Sequence, residues 1–191
     1  MKVIDTDISD VKIIEPDVFG DERGFFMETW QQQRYQEYGI AKDTVFMQDN
    51  LSSSRKNVLR GLHYQYENIQ AKLVYVLQGA VHDVAVDIRK GSPTFGKWAG
   101  VELSSDNQRQ LYIPAGFAHG FCVLSETVMF AYKCDDIYNP AAEISIQWND
   151  PEIDIKWPIL SPVLSEKDKA ATALNEINQK LLPDYNISLK K

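Results

Sequence analysis

Three histidines are the residues of this chain best suited to acid–base chemistry, because an imidazole titrates near neutral pH. His63 lies in the segment VLRGLHYQ, His82 directly precedes Asp83, and His119 follows a Pro/Gly turn in IPAGFAHGF. Each histidine also has a structural alternative. His63 could be a core or edge histidine satisfied by one hydrogen bond, His82 a strand residue, and His119 a turn residue bonded to backbone. The residues alone leave these alternatives open.

The hexamer PAGFAH, which ends at His119, is similar to PxGxxH, the second conserved box of the cupins. Metal-binding cupins add a first box with HxH and a downstream glutamate, whereas His63 is followed by Tyr64 and Gln65. Zinc and iron sites need three or four N, O or S ligands in fixed geometry, and the cupin positions here do not supply them. The sequence therefore predicts a cupin without a metal site.

Without a metal, the chemistry falls to side-chain acids and bases. The candidates beside the predicted strands are His63, Lys72, Asp83, Tyr132, Tyr138 and Asp168. A histidine held by a carboxylate serves as a general base, a lysine stabilises an enolate oxygen, and a tyrosine returns a proton. This set suits proton abstraction next to a ketone. Structural alternatives remain: Lys72 as a surface strand residue, Tyr132 as a core aromatic, and Asp168 as a helix cap.

Short strands must position most of these residues. From Val58 to Trp148, β-branched runs and turns alternate at roughly ten-residue spacing, as in all-β folds. Val84, Val86 and Ile88 fall on one face of a strand, while the residues between them fall on the other. Because no long helical patterns separate the strands, we predict a mostly β fold, an antiparallel jelly-roll (cupin) β-sandwich or barrel.

Helices are predicted at both ends of this β region. The segment 28–38 is the credible short N-terminal helix, since Gly39 follows it at the C′ position. A C-terminal helix is expected from about residue 165, capped by Ser165 and stopped by Pro183. With no repeat or linker, residues 1–191 are interpreted as a single cupin-like domain that carries C-terminal helices.

Strand parity places a condition on the candidate site. In a flat strand, Arg60 and His63 would point to opposite faces of the sheet. For both to line one pocket, Gly61 must host a bulge or bend, which glycine permits.

Composition excludes several function classes. The chain has 191 residues, is 44% hydrophobic and carries a net charge of −7, which is unfavourable for nucleic acid and leaves small anionic metabolites as possible ligands. No stretch approaches the ~18 consecutive apolar residues of a membrane span, and the N-terminus lacks the apolar segment of a signal peptide. Two distant cysteines do not make a disulfide scaffold. We therefore expect a reduced, cytoplasmic protein without membrane partners.

Six segments, in consistent order between Val11 and Asp168, resemble the dTDP-4-dehydrorhamnose 3,5-epimerase family. They are FGDERGFFMETW, QDNLSSSRKNVLRGLHYQ, KLVYVLQGAVHDVAVDIRKGSPTFGKW, QLYIPAGFAHGF, YNPAAEISIQWNDPEI and LSEKD. The resemblance implies a cupin jelly roll, a homodimer, no cofactor and a dTDP-sugar substrate. The implied activity is inversion at C3 and C5 of dTDP-4-dehydro-6-deoxy-D-glucose, in dTDP-L-rhamnose biosynthesis.

The resemblance also implies roles for individual residues. His63 would be the proton acceptor with Asp168 as its partner, and Asp83 would lie near the histidine. Tyr132 would be the general acid, and Lys72 would stabilise the enolate oxygen. Positions that match substrate contacts are Arg23, Glu28, Gln48, Asp49, Asn50, Arg60, Lys72, His119, Glu143 and Lys167, while Tyr138 matches the aromatic that stacks on the thymine.

Other functions remain open at this point. Relatives that epimerise only C3, or that move the ketone between C3 and C4, would share the same motifs. A non-catalytic sugar-nucleotide-binding cupin and a metal-dependent oxygenase are alternatives from other classes. Isotope exchange and elemental analysis distinguish these alternatives.

Overall fold

Two antiparallel β-sheets face each other and enclose the main core. The structure is a computed structural model, and it describes residues 1–185. The strands are β1 Lys2–Asp5, β2 Lys12–Glu15, β3 Val18–Asp21, β4 Gly24–Met27, β5 Gln48–Arg55, β6 Leu59–Gln65, β7 Lys72–Gln78, β8 Ala80–Asp87, β9 Trp98–Ser104, β10 Gln110–Ile113, β11 Phe117–Val123, β12 Thr127–Cys134 and β13 Glu143–Ser145.

The strand order confirms the predicted antiparallel jelly roll. One sheet has six strands in the order β1-β2-β10-β7-β12-β5, and the other has five in the order β13-β6-β11-β8-β9. Within residues 1–185, strands β3 and β4 pair with each other and with no other strand, as a separate two-stranded hairpin. Neighbours in space are often distant in sequence, so the fold brings residues from far apart in the chain onto the same inner surfaces.

The side chains alternate along the strands as the sequence predicts. Ala85 points between the two sheets, where it packs with residues such as Val74 and Phe130. Val84 and Val86 point the other way, into a second cluster under the C-terminal segment. The five-stranded sheet is therefore covered on both faces, which explains why β11 is buried along its whole length.

A bulge in β6 allows Arg60 and His63 to line one pocket, as strand parity required. His63 lies opposite His119 in β11, but Arg60 lies opposite Phe121, so β6 contains one residue more than its partner between these two pairs. Gly61 occupies the irregular stretch with φ +118°, a conformation that L side chains rarely adopt. Arg60 and His63 consequently line the same cavity.

The N-terminal helix exists but is shorter than predicted. Helix α1 spans Gln32–Glu37, and the predicted start at residue 28 is wrong. The backbone carbonyl of Thr29 accepts hydrogen bonds from the side chains of Tyr35 and Gln110, which hold this stretch outside the helix. Gln31 then caps the helix by accepting from the backbone N–H of Arg34.

The C-terminal helix also differs from the prediction. Ser165 caps helix α2 as expected, but α2 spans only Glu166–Lys169, and a 3₁₀ turn at Leu174–Glu176 is the next helical element. The chain leaves α2 because Thr172 pairs with Ile146 and the N–H of Leu174 donates to buried Asp150. Tertiary contacts thus override helix propensity.

In the described chain, every helix is too short or too polar to cross a membrane.

Substitution of Gly61 tests the importance of the bulge. An added Cβ would lie 2.6 Å from Cα of Gly120 and 2.7 Å from the carbonyl oxygen of His119. We expect Gly61→Ala to lower the free energy of unfolding by more than about 2 kcal/mol, because backbone atoms must shift. Urea denaturation monitored by circular dichroism measures the change.

Gly91→Ala is the matched control, because Gly91 also has a positive φ, +79°, but nothing lies within 4 Å of an added Cβ. It should lose only about 1–2 kcal/mol from the conformational strain. Equal losses in the two variants would contradict the argument that the approach of β6 to β11 requires glycine.

Candidate active site

A cavity of about 730 Å³ opens between the two sheets near the start of α2. Its size is that of a small-molecule site. Eleven of the residues singled out in the sequence line it: Gln48, Asn50, Arg60, His63, Lys72, His119, Tyr132, Tyr138, Glu143, Lys167 and Asp168. They come from six strands, from the loop before β13 and from the helix at Glu166–Lys169, so only the folded chain brings them together.

Four other expected site residues do not line this cavity. Asp83 is fully buried behind its wall. Asp49 is an exposed residue paired with Lys133. Arg23 is at the β3–β4 hairpin, where its side chain is 89% exposed and pairs with Asp21. The fourth, Glu28, follows the hairpin and forms an ion pair with Arg34 of α1. These ion pairs are solvent-exposed and contribute little to stability.

His63 and Asp168 form the closest acid–base pair in the cavity. Nε2 of His63 lies 2.6 Å from Oδ1 of Asp168, and the Asp168 side chain is only 3% exposed. The hydroxyl of Ser165 donates to Oδ2 of the same carboxylate at 2.8 Å. Burial alone would raise the pKa of Asp168, but the hydrogen bond and charge of His63, with the Ser165 hydroxyl and Lys167, lower it.

This hydrogen bond fixes which nitrogen of His63 can act as a base. An ionised carboxylate only accepts hydrogen bonds, so the proton must be on Nε2 and the lone pair on Nδ1. Nδ1 lies 3.8 Å from Oε1 of Glu143, which is too long for a hydrogen bond. The free nitrogen is therefore available to a ligand in the cavity.

His119 has a carboxylate partner of its own. Its Nε2 lies 3.0 Å from both oxygens of Asp83, which is completely buried. Burial lowers the pKa of His119, and Asp83 opposes that shift. The resemblance implied that Asp83 lies near the base; in the structure its hydrogen bond goes to His119, while Asp168 holds His63. His119 stands directly opposite His63 in the strand pairing.

Lys72 brings a half-buried amine to the cavity. It lies at the start of β7, opposite Cys134 of β12. Desolvation lowers the pKa of Lys72, while Cys134, Glu143 and Asp83 act in the opposite direction. Within residues 1–185, Glu143 and Asp83 act on Lys72 through their charge and not through a hydrogen bond. Its hydrogen-bonding capacity is thus open to a ligand.

Tyr132 faces the histidine from the other sheet. It lies on β12 of the six-stranded sheet, whereas His63 lies on β6 of the five-stranded sheet. Burial raises the pKa of Tyr132, which keeps its hydroxyl protonated. Beside it, Phe121 and Phe130 stack with ring centroids 4.2 Å apart and form an apolar wall. Such a wall keeps water away from the polar groups.

Glu143 lies between His63 and the rim of the cavity. Its Oε2 accepts hydrogen bonds from Lys167 Nζ at 2.8 Å and from the Tyr138 hydroxyl at 2.9 Å. Burial would raise the pKa of Glu143, but Lys167, His63 and Tyr138 together lower it, so it is a carboxylate. The hydrogen bond to Glu143 in turn raises the pKa of Tyr138.

The sequence did not indicate two supporting features. Ser165 was identified as a helix cap, but not as the residue that orients Asp168. Phe121 and Phe130, which form the apolar wall, lie in strands whose sequence pattern is also typical of a hydrophobic core. The spacing of Ser165 and Asp168 at the start of a helix was the only available signal for the first feature.

His82 takes no part in the cavity. Its ring packs edge-on against Trp157, with centroids 6.0 Å apart, on the outer face of the five-stranded sheet. In the described part of the chain, no group of three or more His, Cys, Asp or Glu side chains could hold a metal ion. The two histidines that line the cavity each bind a carboxylate, His63 that of Asp168 and His119 that of Asp83.

The fold and the cavity define a class: a cupin-like jelly roll with a cavity lined by side chains that are able to exchange protons with a ligand. The family model for dTDP-4-dehydrorhamnose 3,5-epimerase matches residues 5–176. The chain belongs to the dTDP-4-dehydrorhamnose 3,5-epimerase family.

Individual relatives agree with this assignment. A dTDP-4-dehydrorhamnose 3,5-epimerase of Shigella flexneri is 57% identical over 169 residues, which cover 88% of this chain and 93% of the relative. The crystal structure of dTDP-6-deoxy-D-glucose-3,5-epimerase from Legionella pneumophila, in complex with dTDP-4-keto-L-rhamnose, superposes with a TM-score of 0.94 at 57% identity, covering 96% of this chain and 98% of that one. A dTDP-4-dehydrorhamnose 3-epimerase of Streptomyces niveus is 39% identical over 174 residues, which cover 90% of this chain and 84% of the relative.

The acid stability of the protein tests the His63–Asp168 pair. A carboxylate whose folded pKa is lowered adds stability above its unfolded pKa, about 4, and this stability is lost as the pH falls through the folded pKa. We expect the free energy of unfolding of the wild type to fall in this acid range and that of Asp168→Asn to fall less steeply. Urea denaturation between pH 2 and 7 measures both curves.

Glu166→Gln is the control, since Glu166 is an exposed residue of the same helix that pairs with Lys169. It should keep the acid dependence of the wild type. If the free energies of unfolding of Asp168→Asn and the wild type fell in parallel with pH, the carboxylate of Asp168 would not be ionised beside His63 in the folded protein.

Proposed function

We propose that this chain inverts C3 and C5 of dTDP-4-dehydro-6-deoxy-D-glucose to give dTDP-4-dehydro-L-rhamnose, a step of dTDP-L-rhamnose biosynthesis. Membership of the family supports the reaction, and the ligand of the Legionella pneumophila relative, dTDP-4-keto-L-rhamnose, supports the substrate class. The observation that carries the mechanism is the 2.6 Å hydrogen bond between His63 and Asp168 at the wall of the cavity.

His63 is the proposed base. Its Nδ1 takes the proton from the carbon next to the ketone, and the electron pair of the C–H bond becomes an enolate with its charge on the C4 oxygen. Asp168 stabilises the imidazolium that forms. The 4-keto group makes the hydrogens on both C3 and C5 acidic, so one base can serve both carbons.

Lys72 is the proposed partner of the enolate oxygen. Its ammonium is desolvated, and within the described chain Glu143 and Asp83 act on it through charge alone, so a hydrogen bond to a developing oxyanion is strong. His119, held by Asp83, is a second proposed substrate contact in the same wall. In this proposal Asp83 acts through His119 and is a positioning residue.

Tyr132 is the proposed acid. Inversion requires that the proton be removed from one face of the carbon and returned to the opposite face. His63 and Tyr132 lie on facing sheets with the cavity between them, an arrangement that supports delivery from opposite sides. The raised pKa of Tyr132 keeps its hydroxyl as a proton donor at neutral pH.

The cavity rim suits the nucleotide diphosphate. Arg60 and Lys167 supply cations beside the opening, although the net charge of the chain is −7. Tyr138 has half of its surface exposed and is proposed to stack on the thymine. The remaining proposed substrate contacts in the cavity are Gln48, Asn50 and Glu143.

We propose that two copies of the chain form a homodimer. The β3–β4 hairpin exposes Phe19, Phe25 and Phe26, which are 66%, 63% and 71% exposed. An apolar patch of this kind on a two-stranded hairpin favours a protein interface. Arg23 and Glu28, the expected substrate contacts that lie outside the cavity, belong to or follow this hairpin, so a second copy could bring them to its partner's site.

Two further points complete the proposal. The Streptomyces niveus relative is a 3-epimerase at 39% identity, whereas the Shigella flexneri relative at 57% is a 3,5-epimerase, which favours reaction at both carbons here. We place the enzyme in the cytoplasm, where reducing conditions suit the two buried free thiols, Cys122 and Cys134.

Isotope exchange tests the reaction. With dTDP-4-dehydro-6-deoxy-D-glucose in deuterated water, the wild type should place deuterium at both C3 and C5, detected by NMR and mass spectrometry. His63→Asn should lose both exchanges by a factor of at least ~10³, since it removes the base that starts each epimerisation.

His82→Asn is the matched control, because His82 lies outside the cavity, and it should keep both labels. Label at C3 alone would identify a 3-epimerase, and a 3-keto product would identify a ketoisomerase. Binding of dTDP without any label would identify a non-catalytic binder. Full exchange by His63→Asn would exclude His63 as the base.

A further inference from the structure

Glu143 forms a clamp with two donors that sit at the cavity rim. One of its oxygens accepts from both Lys167 and Tyr138, while the other lies 3.8 Å from Nδ1 of His63. The Glu143 side chain is 14% exposed, whereas that of Lys167 is 49% exposed. A mostly buried carboxylate next to the base is thus neutralised by donors that remain accessible to a ligand.

Both donors are also proposed substrate contacts. Lys167 is one of the rim cations suited to a diphosphate, and Tyr138 is the aromatic proposed to stack on the thymine. A phosphate oxygen competes well with a carboxylate for an ammonium, because both form charge-assisted hydrogen bonds of similar strength. A nucleotide whose phosphate engages Lys167 would therefore withdraw this ammonium from Glu143.

We propose that the Lys167–Glu143–Tyr138 clamp couples nucleotide binding to proton abstraction: a phosphate of the bound nucleotide draws Lys167 away from Glu143, whose freed carboxylate then favours the protonated form of His63. In this role Glu143 is a positioning residue that acts through His63. The inference rests on the proposed function and deepens it, since the nucleotide part of the substrate controls the basicity of His63.

The charges around His63 give the direction of the effect. Asp168 holds Nε2 from α2, and Glu143 approaches Nδ1 from β13. His119 faces it from β11, while Lys72 and Tyr132 line the cavity across from it. Of these groups, Glu143 is the anion nearest to the reacting nitrogen. Its charge is offset by Lys167 in the free protein and becomes effective when Lys167 turns to phosphate.

The coupling has a chemical use. A base that gains strength only when the nucleotide is bound exchanges protons with the correct substrate in preference to free ketones. Binding energy from a remote part of the substrate is thereby used at the reacting carbon. Sugars without the nucleotide should be poor substrates even at saturation.

Histidine NMR on the full chain tests the clamp without turnover. With dTDP as the probe, the pH at which the His63 ring signals change should move upward in the wild type, by at least about half a pH unit. In Glu143→Gln this ligand-dependent movement should be largely lost. Lys167→Met should shift the signals upward already in the free protein, since it removes the cation that offsets Glu143.

Kinetics provide the second readout. Glu143→Gln should lower kcat by about tenfold or more with KM changed less than about threefold, and it should move the acid limb of the kcat profile to lower pH. Lys167→Met should mainly raise KM. Lys169→Met is the control, because Lys169 is exposed on the same helix and pairs with Glu166, and it should behave as the wild type.

Two results would overturn the inference. One is a Glu143→Gln variant with raised KM and unchanged kcat, which would make Glu143 a simple substrate contact. The other is an equal dTDP response of the His63 signals in Glu143→Gln and the wild type. Either can occur while the wild type still labels C3 and C5, so failure of the clamp is distinct from failure of the proposed function.

Discussion

The hydrogen bond between His63 and Asp168 is the interaction on which the rest of the site depends. It joins residues 105 positions apart, one on a central strand and one on a short helix that the chain reaches only after both sheets are complete. Burial would favour a neutral Asp168, yet its partners keep it charged. That charge selects the protonated nitrogen of the imidazole and leaves the other nitrogen for chemistry.

The jelly roll contributes an arrangement that neither sheet could provide alone. The proposed base and acid, His63 and Tyr132, lie on facing sheets, and Lys72 and His119 line the same cavity. Because the walls are built from long antiparallel strands with a packed core between them, the separation of these groups is fixed before a ligand arrives. The bulge at Gly61 is the local exception, and it turns Arg60 and His63 toward the same space.

The sequence predicted the strands and the place of His63 in the cavity better than the helices and the rim. The alternation around Val84 and the parity conflict at Gly61 are local properties, so they could be seen in the sequence. The hydrogen-bond partner of Asp83 could not be seen in the sequence, because the register of the strands decides it. The end of α2 could not be seen either, because it depends on contacts with Asp150 and on a bridge to Ile146. Arg23 and Glu28 matched substrate contacts by motif, while their position relative to the cavity depends on a hairpin that stands outside both sheets.

The most direct measurement of the central claim is the nitrogen-15 spectrum of the histidine side chains, recorded near pH 8. The account predicts that the His63 ring carries its proton on Nε2, hydrogen-bonded to Asp168, with an unprotonated Nδ1, and that Asp168→Asn disturbs this pattern. A wild-type spectrum with the proton on Nδ1 would contradict the account, because the nitrogen assigned to proton abstraction would then have no lone pair to use.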